Sequence, residues 1–308
     1  MSSSSVDKSL SSPPILKIEN IIYAGIGWCV LTLLFFLLFS IKAPDEDYPL
    51  WYSISTYVFE CLPFIIAALL CYRNWSSPQI ASGQNVWLGI GMGLLCFFFG
   101  SVMFGWWELY WGLDPEVSPA DLLYLACYLF IGWGMFLAVL PRRLNLESWQ
   151  WAIVIVIALA GISLAVWVNI ATPGAADVVV ESEKIVQKSL PGWVIGTEIF
   201  LAKFKEPVNL FYIIGDVVLL IIATTLLLAF WGGRFSQSWR MIAAATFALY
   251  IADMGFKYLV TLPGEYESGG FLDIFFVFSG VLFALGAALE YDISSRPTRS
   301  RRRRGSAS

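Results

Sequence analysis

Very few residues of this chain carry charge within apolar surroundings, and those few define its possible chemistry. Glu60 and Asp216 each interrupt a long apolar run near its middle. An ionised carboxyl is costly there, so it marks a proton or cation site, or a polar switch between helices. The plainer alternative is a protonated or hydrogen-bonded carboxyl that holds helices together. Asp253 and Lys257 are four residues apart, which puts them on one helix face within pairing reach. Asp121 and Asp273 each open an apolar run. In Ser118-Pro119-Ala120-Asp121, Ser118 suits the N-cap, Pro119 the first helical position and Asp121 the acid of a capping box. Asp273 follows Ser268-Gly269-Gly270 without that setting, so the recurring acid points beyond capping alone to an inter-helix or functional contact. Tyr124 and Tyr128 lie one helical turn apart below Asp121, placed to carry a hydrogen-bond chain from it.

The elements that must position these residues are membrane spans. Of the 308 residues, 58% are hydrophobic and only 14% charged, and the mean hydropathy is +0.72. A soluble domain needs more polar surface than that to cover its core. Eight apolar segments run at about 21–41, 51–72, 86–110, 119–140, 150–170, 207–231, 239–262 and 270–290. Each is near the length a helix needs to cross the hydrocarbon layer. They are continuously apolar, without the alternation of a barrel strand. The first is too long for a signal-peptide core, and no small-residue cleavage site precedes Asp45, Glu46 and Asp47. The expected fold is an all-α polytopic membrane protein of eight transmembrane helices.

Composition also excludes chemistry. Histidine is absent, which removes His-ligated haem, His-bearing zinc sites and His general bases. Cys29, Cys61, Cys71, Cys96 and Cys127 lie in apolar segments without metal-ligand spacing, so buried unpaired thiols are expected. No P-loop, dinucleotide fingerprint, nucleophile elbow or zinc-protease motif is present. No cofactor, metal or nucleic acid is implied, and an enzyme is the least supported class.

Basic residues set the expected orientation. Lys8, Lys17, Arg73, Arg142, Arg143, Arg234, Arg240, Arg296, Arg299 and Arg301 to Arg304 all fall on one side if the spans alternate. Asp45, Glu46, Asp47, Asp114, Glu116, Glu265 and Glu267 fall on the other. The positive-inside rule then puts both termini in the cytoplasm, in a bacterial inner or other energy-transducing membrane. Residues 1–19 read as a disordered Ser-rich cytoplasmic tail. Residues 292–308 read as a basic cytoplasmic tail that locks topology and offers anionic lipid an attractive surface.

An internal correspondence divides the rest. Trp87 and Trp239, Phe104 and Phe256, Trp106 and Tyr258, Asp121 and Asp273, and Gly134 and Gly286 are each 152 positions apart. One span earlier the offset is 156, pairing Glu60 with Asp216. Residues 20–145 and 146–291 would then be two parallel four-helix repeats, since an even span count gives both units the same orientation. A non-cytoplasmic loop at about 172–206 interrupts the second. Its latter part, with Trp193, Ile195, Ile199, Phe200 and Phe204 among charges, suits either the membrane interface or an irregular cap. Trp106, Trp107, Tyr110 and Trp111 suit an aromatic belt. Gly89, Gly91, Gly93, Gly100 and Gly105 suit close helix packing.

Two resemblances follow from short motifs. The Asp253-x-x-x-Lys257 spacing is similar to the Schiff-base helix of rhodopsins, but the surrounding pattern is absent, which leaves an ion pair. The run Pro115-x-x-Ser118-Pro119-Ala120-Asp121-Leu122-Leu123-Tyr124-Leu125 resembles multi-span sensory regions that precede bacterial diguanylate cyclases and sensor kinases. Gly215-Asp216, Ala252-Asp253 and Gly264-x-Tyr266 ahead of Asp273 are similar too. Here an Arg-rich tail stands where an output domain would follow. The resemblance implies a stand-alone, non-enzymatic sensory or scaffolding module that works through a membrane-protein partner. A small secondary transporter using Glu60 and Asp216 is the alternative, with Pro63 and Gly215 hinting at the broken helices such proteins use.

Overall fold

The computed structural model describes residues 17–41, 48–113, 115, 117–140, 146–171, 190–233, 235–260 and 269–296. The expectations on most of the N-terminal tail, residues 45–47, Asp114, Glu116, 142–143, 172–189, Arg234, 261–268 and the basic tail from 297 lie outside the described residues.

Nine helices are described: α1 (Ile18–Phe39), α2 (Leu50–Trp75), α3 (Gln84–Trp111), α4 (Asp121–Val139), α5 (Ser148–Ala171), α6 (Gly192–Leu201), α7 (Lys205–Ala229), α8 (Ser236–Val260) and α9 (Ile274–Ser295). The described residues contain no strand. Helices satisfy their own backbone donors and acceptors, which the hydrocarbon layer requires. The turn Ala202–Phe204 joins α6 directly to α7, so eight continuous helical units are long and apolar enough to cross a membrane. The spans expected from the sequence are all present.

The sixth unit differs from expectation in length. It runs 38 residues, Gly192–Ala229, roughly 57 Å at about 1.5 Å per residue. A span needs only about 30 Å, so this unit is longer than one crossing requires. The segment 192–206 is therefore helical rather than an irregular cap. Glu198, Lys203, Lys205 and Glu206 break the apolar run, and hydropathy ends the span there. Glu and Lys are nevertheless good helix formers, and the helix continues through them.

Six helices close a ring in which α2 packs on α3, α3 on α4, α4 on α7, α7 on α8, α8 on α9 and α9 on α2. Outside it, α1 lies on α9, and α5 on α7 and α8. At the end nearest the chain termini the ring is filled. Trp87 and Trp239 are both fully buried, with centroids 6.3 Å apart, and Phe230 stacks on Trp239 at 4.9 Å. Asn74 donates to the Ala287 carbonyl at 2.9 Å, and Ser82 donates to the buried Glu290 at 2.7 Å.

Apolar contact with a neighbour gains little over contact with lipid, so close approach at small residues drives this packing. A Cβ on Gly134 would lie 2.7 Å from both the Val86 carbonyl and the Ile90 amide; one on Gly286 would meet Ile242 at 2.6 Å and the Ser238 carbonyl at 3.3 Å. Each glycine thus seats one helix on the next through corresponding residues, 152 positions apart throughout. All five cysteines are free thiols, three of them buried.

Candidate functional site

The end of the ring remote from the termini holds a cavity of about 110 Å³. Glu60, Asp121, Tyr124, Asp253, Lys257 and Asp273 all line it. Asp216, the remaining residue singled out from the sequence, stands one hydrogen bond behind the wall: Tyr128 lines the cavity and donates to Asp216 Oδ1 at 2.6 Å. Residues from α2, α3, α4, α7, α8 and α9 all contribute, so the site exists only when the ring closes.

Each acid is held differently. Asp121 completes the expected capping box, accepting the Ser118 amide at 2.6 Å while the Ser118 hydroxyl accepts the Ala120 amide at 3.2 Å. It does more than cap, because its other oxygen accepts the Tyr212 hydroxyl from α7 at 2.6 Å. Asp273 makes a similar closure without Ser or Pro, accepting the Gly269 amide at 2.8 Å. Gly269 has φ +115°, a conformation open to glycine, and its carbonyl accepts the Tyr52 hydroxyl at 2.6 Å. Glu60 accepts the Ser101 hydroxyl at 2.7 Å, and Tyr124 donates to Ser101 at 3.2 Å.

Asp216 and Asp253 form the densest polar contact. The Tyr128 hydroxyl meets Asp216 Oδ1 and Asp253 Oδ2 together. One hydroxyl has one hydrogen to give. Asp216 Oδ2 is also buried without a donor unless a neighbour carries a proton. A proton on one of the two acids lets the Tyr128 hydroxyl donate to one carboxyl and accept from the other. Gly215 makes room for this arrangement, since a Cβ there would lie 2.8 Å from the Tyr128 ring.

Lys257 donates to the Asn209 carbonyl at 3.3 Å and its ammonium stands 5.1 Å from the Tyr212 ring centroid, over its face, a cation–π contact. The helix-face prediction for Asp253 and Lys257 therefore holds to the extent that both line the cavity. Glu60 and Asp216 are not brought to one contact: the first goes to Ser101, the second to Tyr128. The expected chain running from Asp121 through Tyr124 and Tyr128 is also corrected. Tyr212 from α7 serves Asp121, while Tyr124 turns to Ser101, the donor to Glu60, and Tyr128 to the aspartate pair.

Tyr212, Ser101 and Asn209 were not singled out from the sequence. Tyr212 sits four residues before Asp216, on the same helical face, and that spacing was the available signal. Ser101 carried none, being one small polar residue among the glycines of α3. The aromatic cluster at the end of α3 divides in two. Trp106 and Tyr110 are exposed as a belt requires, but Trp107 is 2% exposed. It donates to the buried Glu198 of α6 at 2.6 Å and packs edge-on to Trp193 at 5.9 Å.

Fold and composition define a multi-pass helical membrane protein with an acid-bearing chamber inside its bundle. No protein-family model matches this chain, no curated protein matches it, and no solved structure matches it.

Proposed function

We propose that this protein is a non-enzymatic sensory module of a membrane, whose chamber receives a small solute and whose state is passed to a membrane-protein partner through helix contacts. The observation that carries this is the convergence of Glu60, Asp121, Asp253, Lys257 and Asp273 on one cavity. The cavity falls well below the ~300 Å³ at which drug-sized pockets begin, so an ion or a small polar solute is the fitting occupant. The helices around it are unbroken: α2 continues through Pro63 and α7 through Gly215. That favours sensing over transport, which commonly uses helices interrupted near mid-membrane.

Two parallel four-helix repeats are the proposed origin of the ring. The paired glycine seats support it. So does the equivalence of Glu60 with Asp216 and of Ser101 with Asp253, since Glu60 meets Ser101 in the first half and Asp216 and Asp253 of the second half meet the same Tyr128 hydroxyl. With both termini cytoplasmic, as the basic residues imply, the chamber faces the opposite side. The bacterial setting and the resemblance to sensory regions belong to the same proposal.

One observation favours the alternative of a small secondary transporter: the proton-holding Asp216–Tyr128–Asp253 contact, buried where the two halves meet. Purified protein separates the two readings. A sensor should show a thermal shift with a member of a panel of inorganic cations and small amines, lost in E60Q or D253N, and no flux in liposomes. Solute-driven proton flux that D216N abolishes would refute sensing in favour of transport.

A further inference from the structure

A second cleft of about 300 Å³ lies at the opposite end of the bundle, between the start of α1 and the ends of α2 and α9. Lys17, Arg73 and Arg296 line it, with Glu19, Tyr291 and Asp292. Arg296 is neutralised by Asp292 at 2.7 Å. Arg73 is not: its guanidinium rests 4.0 Å from the Tyr291 ring centroid, and its Nε is buried without a hydrogen-bond partner. Five donors in a planar fork match a phosphate group, so a half-buried Arg held only by a ring is an unfilled anion contact. Lys17 adds a second cation at the N-cap of α1, where no side chain caps the helix and the dipole favours negative charge. Among the described residues that line the cleft, the carboxylates are Glu19 and Asp292, and Asp292 is paired with Arg296.

We propose that this cleft binds the phosphate of an anionic membrane lipid. Its depth in the bundle fixes the source. It lies where the apolar runs of three spanning helices end, at the level of lipid headgroups. The neighbouring surface is apolar and exposed, with Tyr23, Ile26 and Tyr72 more than half exposed, so acyl chains have a wall to lie along. Basic pockets between transmembrane helices bind headgroups in this way. The residues that line this cleft are not those of the Arg-rich run 301–304, and the cleft lies at the opposite end of the bundle from the chamber.

The test is thermal unfolding of the full-length protein in neutral detergent, titrated with short-chain phosphatidylglycerol, short-chain phosphatidylcholine or inorganic phosphate. Phosphatidylglycerol should stabilise the protein saturably and phosphatidylcholine should not. R73Q and K17Q should each weaken the phosphatidylglycerol midpoint roughly fivefold, the attraction expected per cation near anionic headgroups. Lys17 lies at an exposed helix start, so K17Q keeps the test valid if R73Q folds poorly. Neutralising the tail with R301Q/R302Q/R303Q/R304Q should leave the midpoint unchanged. The proposal is overturned if the tail variant alone loses the effect, if R73Q and K17Q both bind like wild type, or if inorganic phosphate stabilises as strongly as the lipid.

Discussion

Tyr128→Phe removes one oxygen from a buried ring and leaves its packing intact. The cost depends on what that oxygen does. An ordinary side-chain hydrogen bond within a membrane protein is worth about 0.6 kcal/mol on average. The Tyr128 hydroxyl serves two carboxyls at once, and Asp216 is only 2% exposed, so water cannot replace the lost donor. A bond to a charged group contributes about 1.5–3 kcal/mol, and stranding a buried acceptor costs a similar amount. The carboxyl proton remains after the substitution and limits the damage, so the expected loss is about 2–3 kcal/mol. Reversible unfolding from mixed micelles by a denaturing detergent measures it. Tyr124→Phe, which loses only its donation to Ser101, should cost about 0.6 kcal/mol. In a D216N background the side chain brings its own donor, and Tyr128→Phe should then cost no more than about 1 kcal/mol. A wild-type stability for Tyr128→Phe, or an undiminished loss in the D216N background, would refute this arrangement.

Gly134→Ala should destabilise by about 1–3 kcal/mol, because its Cβ would meet backbone atoms of α3 at 2.7 Å that cannot rotate away. Gly286→Ala should cost less, since the atom at 2.6 Å is the tip of the flexible Ile242 side chain; the same unfolding assay ranks the two, and equal costs would contradict the packing described. Trp107→Phe removes the indole N–H that donates to the buried Glu198 carboxylate, a loss of roughly 1.5–3 kcal/mol for a bond to a charged group. Hydrogen exchange should therefore rise at 192–201 and stay unchanged in α3 below Gly105.

The spans were legible because a bilayer admits so few solutions. Once a run of about 20 residues is apolar, a helix is the form that satisfies its backbone. The capping role of Asp121 was equally local, written in four consecutive residues. The helix at 192–206 was only partly legible, because hydropathy registers where the apolar run stops, while helix propensity continues through Glu and Lys. Trp107 and Trp106, adjacent and alike in sequence, have opposite fates for a reason no local pattern holds: only one of them faces α6.

The sequence by itself determined that this is a helical membrane protein and pointed to acids that the fold gathers at one cavity, since charge in apolar surroundings is costly enough to stand out. Only the tertiary structure decided what those acids meet. Tyr128 and Asp253 touch across 125 residues of sequence, and Tyr212 and Asp121 across 91. Such pairings depend on the order of six helices around a ring and on the angstrom-scale approach that glycines permit. Neither quantity is recorded in periodicity or composition, because every helix in the ring is apolar on the face it turns to lipid and nearly as apolar on the face it turns inward.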